Sequence, residues 1–292
     1  DDYSRWIYSL NKTFLRKGLI YQGLSLFLIS DCSCKRTELF DTYSSICNLL
    51  LIQEVIGEKL PQKIALVGED PMFLRGLKSN VKGIPISTEG KGKKNRNVLR
   101  RIASDFKFVI EVASIVLLKQ LFVRHSVTKA PQPRRYFFSI YPKMIATNGR
   151  DNKYGDFVEV EDRYAASIVT DGLHQHVSAM SFFRLREKAR ECGLVVIDDF
   201  LDHRDWIRCL YWLIRIRWEL FRENTQHQFR GIDVSDWIRE EFSQSASRIA
   251  RFMAVKGAYE RFFQEYRITE FIYYLHEYPL GRLISWLLRT RQ

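Results

Sequence analysis

The stretch KIALVGED, residues 63–70, decides how the rest of the chain is read. Four apolar residues in a row, closed by a glycine and two acids, predict a strand buried on both faces. Pro71 then suits the first turn of a helix, predicted over 71–78. Upstream, GLSLFLISD (23–31) is predicted as a second buried strand. The helical stretch that follows it, 38–56, spaces Ile46, Leu49, Leu50 and Val55 as one face requires. Downstream, VKGIPIS (81–87) gives another short strand, and GKGKKNRN (90–97) a solvated basic loop.

The same alternation continues. A long helix runs to about residue 125 and APQPRR (130–135) forms an extended linker. YFFSIYP (136–142) is a further buried strand, and TNGRDNKYGD (147–156) a loop rich in turn formers. YAASIVTDG (164–172) is a strand or a helix turn. A helix over 178–192 is closed by Gly193, the residue type that ends helices in the left-handed conformation. LVVIDDF (194–200) is a last buried strand. From residue 202 only helices are predicted, at 203–223, 234–254, 257–275 and 280–290.

Strands apolar on both faces, alternating with helices, predict the α/β class: a Rossmann-like parallel sheet with helices on both faces, followed by an α-helical C-terminal segment. Residues 1–200 form the predicted Rossmann-like domain, and 201–292 a helical cap or hinge.

Composition narrows the function. Hydrophobic residues at 46% and charged residues at 27% exclude a disordered chain. The net charge of +12, from 46 basic and 34 acidic residues, favours anionic partners: nucleic acid, an anionic membrane or phosphorylated substrates. Cys32, Cys34, Cys47, Cys192 and Cys209 are odd in number and irregularly spaced, so neither a disulfide framework nor a zinc ribbon is expected, and the compartment reads as cytoplasmic. The apolar stretch 106–123 is interrupted by Lys107, Glu111 and Lys119, which favours a buried or amphipathic helix over a membrane span. The start at Asp1-Asp2, without Met, reads as a piece of a longer protein.

Open parallel sheets bind ligands at the carboxyl ends of their strands, where strand order reverses. The strand ends here carry Asp31, Glu69 with Asp70, Tyr141, Asp171, and Asp198 with Asp199. For any single acid, capping the next helix is the commoner role. The densest cluster is TDGLHQH (170–176), with Asp171, His174 and His176. An Asp there can serve as a base, or orient a His that does. The spacing is also one that a metal could use, and the two His equally suit capping and packing of a helix start; the reading adopted is catalysis or substrate binding, without metal. Lys143 and Arg150, with Arg134, Arg135 and Lys153, flank the 136–142 strand and suit a phosphate or acidic sugar, although a solvated basic surface is the plainer role. There is no P-loop, no GxGxxG, no GxSxG and no HExxH.

The segment 205–222 interleaves aromatics and arginines. Trp206, Leu210, Leu213, Ile214 and Trp218 form its expected apolar face, with Arg208, Arg215, Arg217 and Arg222 around it. Packing on a core is the first reading, contact with an anionic membrane the second, and nucleic acid the third.

GLSLFLISD, KIALVGED, RRYFFSIYPKM with the later NKYGD, and YAASIVTDGLHQH together resemble a family of surface-carbohydrate (O-antigen related) biosynthesis proteins. These are similar in turn to glycosyltransferases with two Rossmann-like domains, the GT-B arrangement. The resemblance spans roughly residues 20–200. It implies that this chain is the N-terminal, acceptor-side half, with a nucleotide-sugar held mainly by a second half beyond Gln292. It implies an acceptor-deprotonating group at Asp171, with His174 as second choice. Asp31, Glu69, Asp70, Tyr141, Lys143, Arg150 and His176 would bind substrate. The expected function is therefore sugar transfer from a nucleotide-sugar to a glycan or lipid-linked glycan acceptor. No cofactor is expected, and the location is cytoplasmic or peripheral at the inner membrane face. The alternative is a non-enzymatic basic α/β protein that binds nucleic acid or a membrane-associated assembly.

Overall fold

The computed structural model describes residues 2–33, 42–67, 71–89, 98–122, 134–141, 151, 154–169, 178–222, 224–273 and 278–290. In chain order the elements are α1 (Asp2–Ser9), α2 (Asn11–Arg16), β1 (Ile20–Tyr21), β2 (Leu24–Ser25), α3 (Thr42–Lys59), β3 (Ile64–Val67), α4 (Pro71–Asn80) and β4 (Ile86–Glu89). Then come α5 (Val98–Phe122), β5 (Arg134–Ile140), β6 (Arg163–Ser167), α6 (Ala179–Glu191), β7 (Val195–Val196) and α7 (His203–Phe221). The chain continues with β8 (Gln228–Phe229), β9 (Ile232–Asp233), α8 (Ser235–Glu265), β10 (Ile268–Ile272) and α9 (Pro279–Arg289). The fold is mixed α/β and mostly helical.

Two compact units divide the chain: Asp1–Ala103 with Arg215–Ala246, and Ser104–Ile214 with Ser247–Gln292. Both take in segments from the two sides of residue 200.

Among the described residues the first unit contains three strand pairs. β3 and β4 pair in parallel, from Ile64 opposite Ile86 to Val67 opposite Glu89. β1–β2 and β8–β9 are antiparallel hairpins. Their turns are alike: Gln22 and Gly23 have φ of 45° and 81°, Arg230 and Gly231 of 49° and 80°. Two successive positive φ values make the turn that matches the twist of a two-residue hairpin, and glycine takes the second place without a Cβ penalty.

The second unit holds the main sheet, in the order β10-β5-β6-β7, with every pair parallel. β5 is interior, and its Tyr136, Phe137 and Phe138 are buried, which is why that run is apolar without alternation. The chain steps from β5 to β6 to β7 in one direction, then returns to the other side of β5 for β10. Strand order thus reverses between β5 and β10.

Three expectations are corrected. GLSLFLISD is a strand only at Leu24–Ser25; Leu26–Ile29 and Asp31–Ser33 are 3₁₀ turns. An apolar run buried all round carries no period, and Leu26, Phe27 and Ile29 are buried in turns as fully as a strand would bury them. LVVIDDF pairs with β6 only through Val195 and Val196. The ladder stops because the Asp198 carboxylate takes the N–H groups of Ile168 and Val169 that further pairing would need. The C-terminal segment is not helical throughout: it holds the β8–β9 hairpin and β10, an outer strand of the main sheet. Gly257 does not break α8. The helix runs unbroken for 31 residues, and the missing Cβ at Gly257 leaves the space that the Asp205 carboxylate fills.

α7 buries Asp205, Cys209, Trp212, Leu213, Ile216 and Leu220, whereas Ile214 and Trp218 of the expected apolar face are exposed. The helix is apolar on two sides, and spacing alone mixes them.

Candidate functional site

The main sheet brings its carboxyl ends together in the second unit. β5 ends at Ile140 and Tyr141, beside β6, which ends with Ser167 opposite Ile140. β6 ends because its next residues, Ile168 and Val169, give their N–H groups to a side chain rather than to a strand. That side chain is Asp198, which is fully buried and also accepts from Ser167 Oγ at 2.9 Å. Burial pushes its carboxyl up to about 6, against the pull of those donors. Asp198 is thus a clamp on the end of β6.

Next to it, Asp199 pairs with Arg186, including a 3.1 Å contact from the second guanidinium nitrogen. Lys119, on α5, donates to the backbone carbonyls of Asp199 and Leu201. Arg261 Nε donates to the carbonyl of Phe200 at 2.6 Å. Three successive carbonyls are therefore capped by buried or half-buried cations. Burial lowers the Lys119 amine to about 8, opposed by the Asp199 charge. Asp205 is held by Arg261 and by Arg208 at 3.0 Å, and accepts from the Asp202 N–H at 2.8 Å. Burial raises its carboxyl, and Arg261 works against that rise.

On the other side, Ser139 of β5 donates to the buried Asp151, and Tyr154 donates to the Phe138 carbonyl at 2.7 Å. Tyr141 is buried, and that burial raises its phenol, with Cys192 and Glu191 adding to the rise. The sheet end thus carries Ser139, Tyr141, Asp151, Ser167 and Asp198, all buried, with Ser139 bonded to Asp151 and Ser167 to Asp198. These bonds brace the ends of β5 and β6, from which the chain runs on into 142–150 and 170–176.

Of the residues singled out from sequence, Tyr141 is at this sheet end. Asp31 is not: it belongs to the first unit, buried in the Asp31–Ser33 turn. There it precedes Cys32, whose thiol lies 3.4 Å from Ser245 Oγ and is pushed up chiefly by burial. Glu241, buried in the same unit, accepts from the Thr42 N–H at 3.3 Å and from its hydroxyl at 3.1 Å, capping the start of α3. Asp171, His174, His176, Lys143, Arg150, Glu69 and Asp70 lie outside the described residues. In the chain, 170–176 follow directly on β6 and its Ile168–Val169 end, and 142–150 follow Tyr141. Glu69 and Asp70 follow β3, in the first unit.

Sequence reasoning missed Asp151, Lys119, Asp205 and Arg261. Lys119 had a signal: it was the charge inside the apolar stretch 106–123, and a lysine there needs buried acceptors. Asp151 had none beyond its place in a loop.

Among the described residues, no group of three or more His, Cys, Asp or Glu is placed to hold a metal ion. No described helix is long and apolar enough to cross a membrane. No family model, curated protein or solved structure matches the chain.

Proposed function

We propose that this chain is a glycosyltransferase-like enzyme of bacterial surface-polysaccharide (O-antigen or capsule) biosynthesis. It passes a sugar from a nucleotide-sugar to a glycan or lipid-linked glycan acceptor, at the cytoplasmic side of the membrane. The observation that carries the reading is the reversal of strand order between β5 and β10 in an all-parallel sheet. Reversal opens a crevice at the strand ends, which is where Rossmann-like sheets take nucleotide and sugar-phosphate ligands. The sheet of the second unit is, on this reading, a Rossmann-like core.

In this scheme Asp171 removes the proton of the acceptor hydroxyl as its oxygen attacks the anomeric carbon. The nucleoside diphosphate leaves with the electron pair of the broken glycosidic bond. His174 is the second choice for the base. Tyr141, His176, Lys143 and Arg150 orient the acceptor or the phosphates from the ends of β5 and β6. The resemblance of GLSLFLISD, KIALVGED and YAASIVTDGLHQH to O-antigen related proteins supports the choice of substrate class.

A thermal-shift panel of nucleotide-sugars on the full-length protein tests the reading: at least one should raise the melting temperature, and none doing so contradicts it. The net charge of +12 supports a rival reading, a non-enzymatic binder of nucleic acid. Binding of RNA or DNA that falls steeply with salt and is unchanged by Asp171→Ala favours the rival.

A further inference from the structure

One side of α7 stays in water although it is apolar. Ile207, Tyr211, Ile214, Trp218 and Phe221 are 50%, 51%, 56%, 59% and 86% exposed. They recur at i, i+4, i+7, i+11 and i+14, so on a helix with about 3.6 residues per turn they share an arc of roughly 80°. The buried stripe, from Asp205 to Leu220, is on the opposite side of the same helix. α7 is one uninterrupted helix, so the stripe is straight along its own axis.

The edges of this face are basic. By the same rotation per residue, Arg204, Arg208, Arg215 and Arg222 border one edge and Arg217 the other. Arg222 lies over the Trp218 ring, with its guanidinium carbon 5.5 Å from the ring centroid. Of the acids on α7, Asp205 is turned inward and held by Arg261 and Arg208, and Glu219 falls toward the buried side.

We propose that this face of α7 is a membrane-contact surface, seated in the headgroup region of an anionic lipid leaflet. The apolar arc enters the boundary between headgroups and acyl chains, where tryptophan and tyrosine are at home. Arg204, Arg217 and Arg222 lie at headgroup depth, their stems along the apolar edge and their charges on lipid phosphates, while Arg208 and Arg215 also bond Asp205 and the Gly18 carbonyl. The arrangement of charge selects this occupant over a second copy of the chain. Two such faces packed on each other would set arginine rows against arginine rows, whereas an anionic surface complements them. The inference does not depend on the transfer reaction.

Vesicle co-sedimentation of the purified chain tests it, with phosphatidylcholine alone and with phosphatidylcholine mixed with phosphatidylglycerol. The chain should sediment with the mixed vesicles and stay in solution with the neutral ones. Ile214→Ser with Trp218→Ser should lower the bound fraction about tenfold or more while leaving the melting temperature in place, because both side chains face water. Arg204→Glu with Arg222→Glu should abolish the preference for anionic lipid. No binding to either vesicle overturns the proposal, and so does unchanged binding by the serine pair. A lipid-free dimer that the serine pair converts to a monomer in sedimentation velocity would assign the face to copy–copy contact and overturn it equally.

Discussion

Asp205 of the second unit and Glu241 of the first are both buried carboxylates, but their described partners differ in kind. Asp205 is held by the guanidinium groups of Arg261 and Arg208. Glu241 accepts from the N–H and hydroxyl of Thr42 at the start of α3. The first is an ionic corner that fixes the turn leading out of the main sheet; the second is a helix cap supplied from another part of the chain. A buried acid in this protein therefore identifies neither a site nor a reaction. What distinguishes the two is what each leaves behind when removed.

Asp205→Ala should have the largest effect. It leaves Arg261 and Arg208 without their buried counter-charge, and breaking such a pair from one side costs about 3–5 kcal/mol. Chemical denaturation should show this loss as a drop in midpoint at constant slope. Glu241→Ala should cost less through its described bonds, about 1–3 kcal/mol, because those partners are a neutral N–H and a hydroxyl. Equal losses in the two variants would break the comparison.

Asp198 sharpens it through pH. Burial raises its carboxyl from 3.8 to about 6, so the folded protein holds this proton more tightly than the unfolded chain. The stabilisation this supplies is complete below pH 3.8 and is lost as pH rises through about 6. A shift of this size corresponds to roughly 3 kcal/mol. Relative to Asp198→Asn, the native chain should therefore lose stability between pH 4 and 7, measured as the difference between the two melting temperatures. A difference that does not change with pH would contradict the buried clamp.

Gly231→Ala should have the smallest effect, about 1 kcal/mol, since alanine at φ of 80° strains only one hairpin turn. Thermal melting of the variant would show the loss.

Much of the second unit's sheet was legible in the sequence. YFFSIYP and YAASI became adjacent parallel strands, and Gly193 closes α6 with the expected positive φ of 76°. In the first unit IALV is a strand whose partner among the described residues is β4, so a correct strand gave no part of the main sheet. β10 was missed because RITEFI follows a long helix without a glycine or proline to mark the change. The helices read at 234–254 and 257–275 are one continuous α8 to Glu265, in which Gly257 leaves room for the Asp205 carboxylate. Tyr141 stands at the end of β5, where its place after an apolar run put it. The ionic corner around Lys119, Asp205 and Arg261 was not legible, because its members come from α5, α7 and α8 and share no local motif. Asp31 does not stand at a strand end, because the run before it closes in turns of the first unit.

The most direct test of the central claim is incorporation of labelled sugar from a nucleotide-sugar into a glycan acceptor, comparing the native full-length protein with its Asp171→Ala variant. Transfer by the native chain, and its loss in a variant that still melts at the native temperature, is the predicted result. Transfer at the native rate by Asp171→Ala would contradict the assignment of the reacting end of β6.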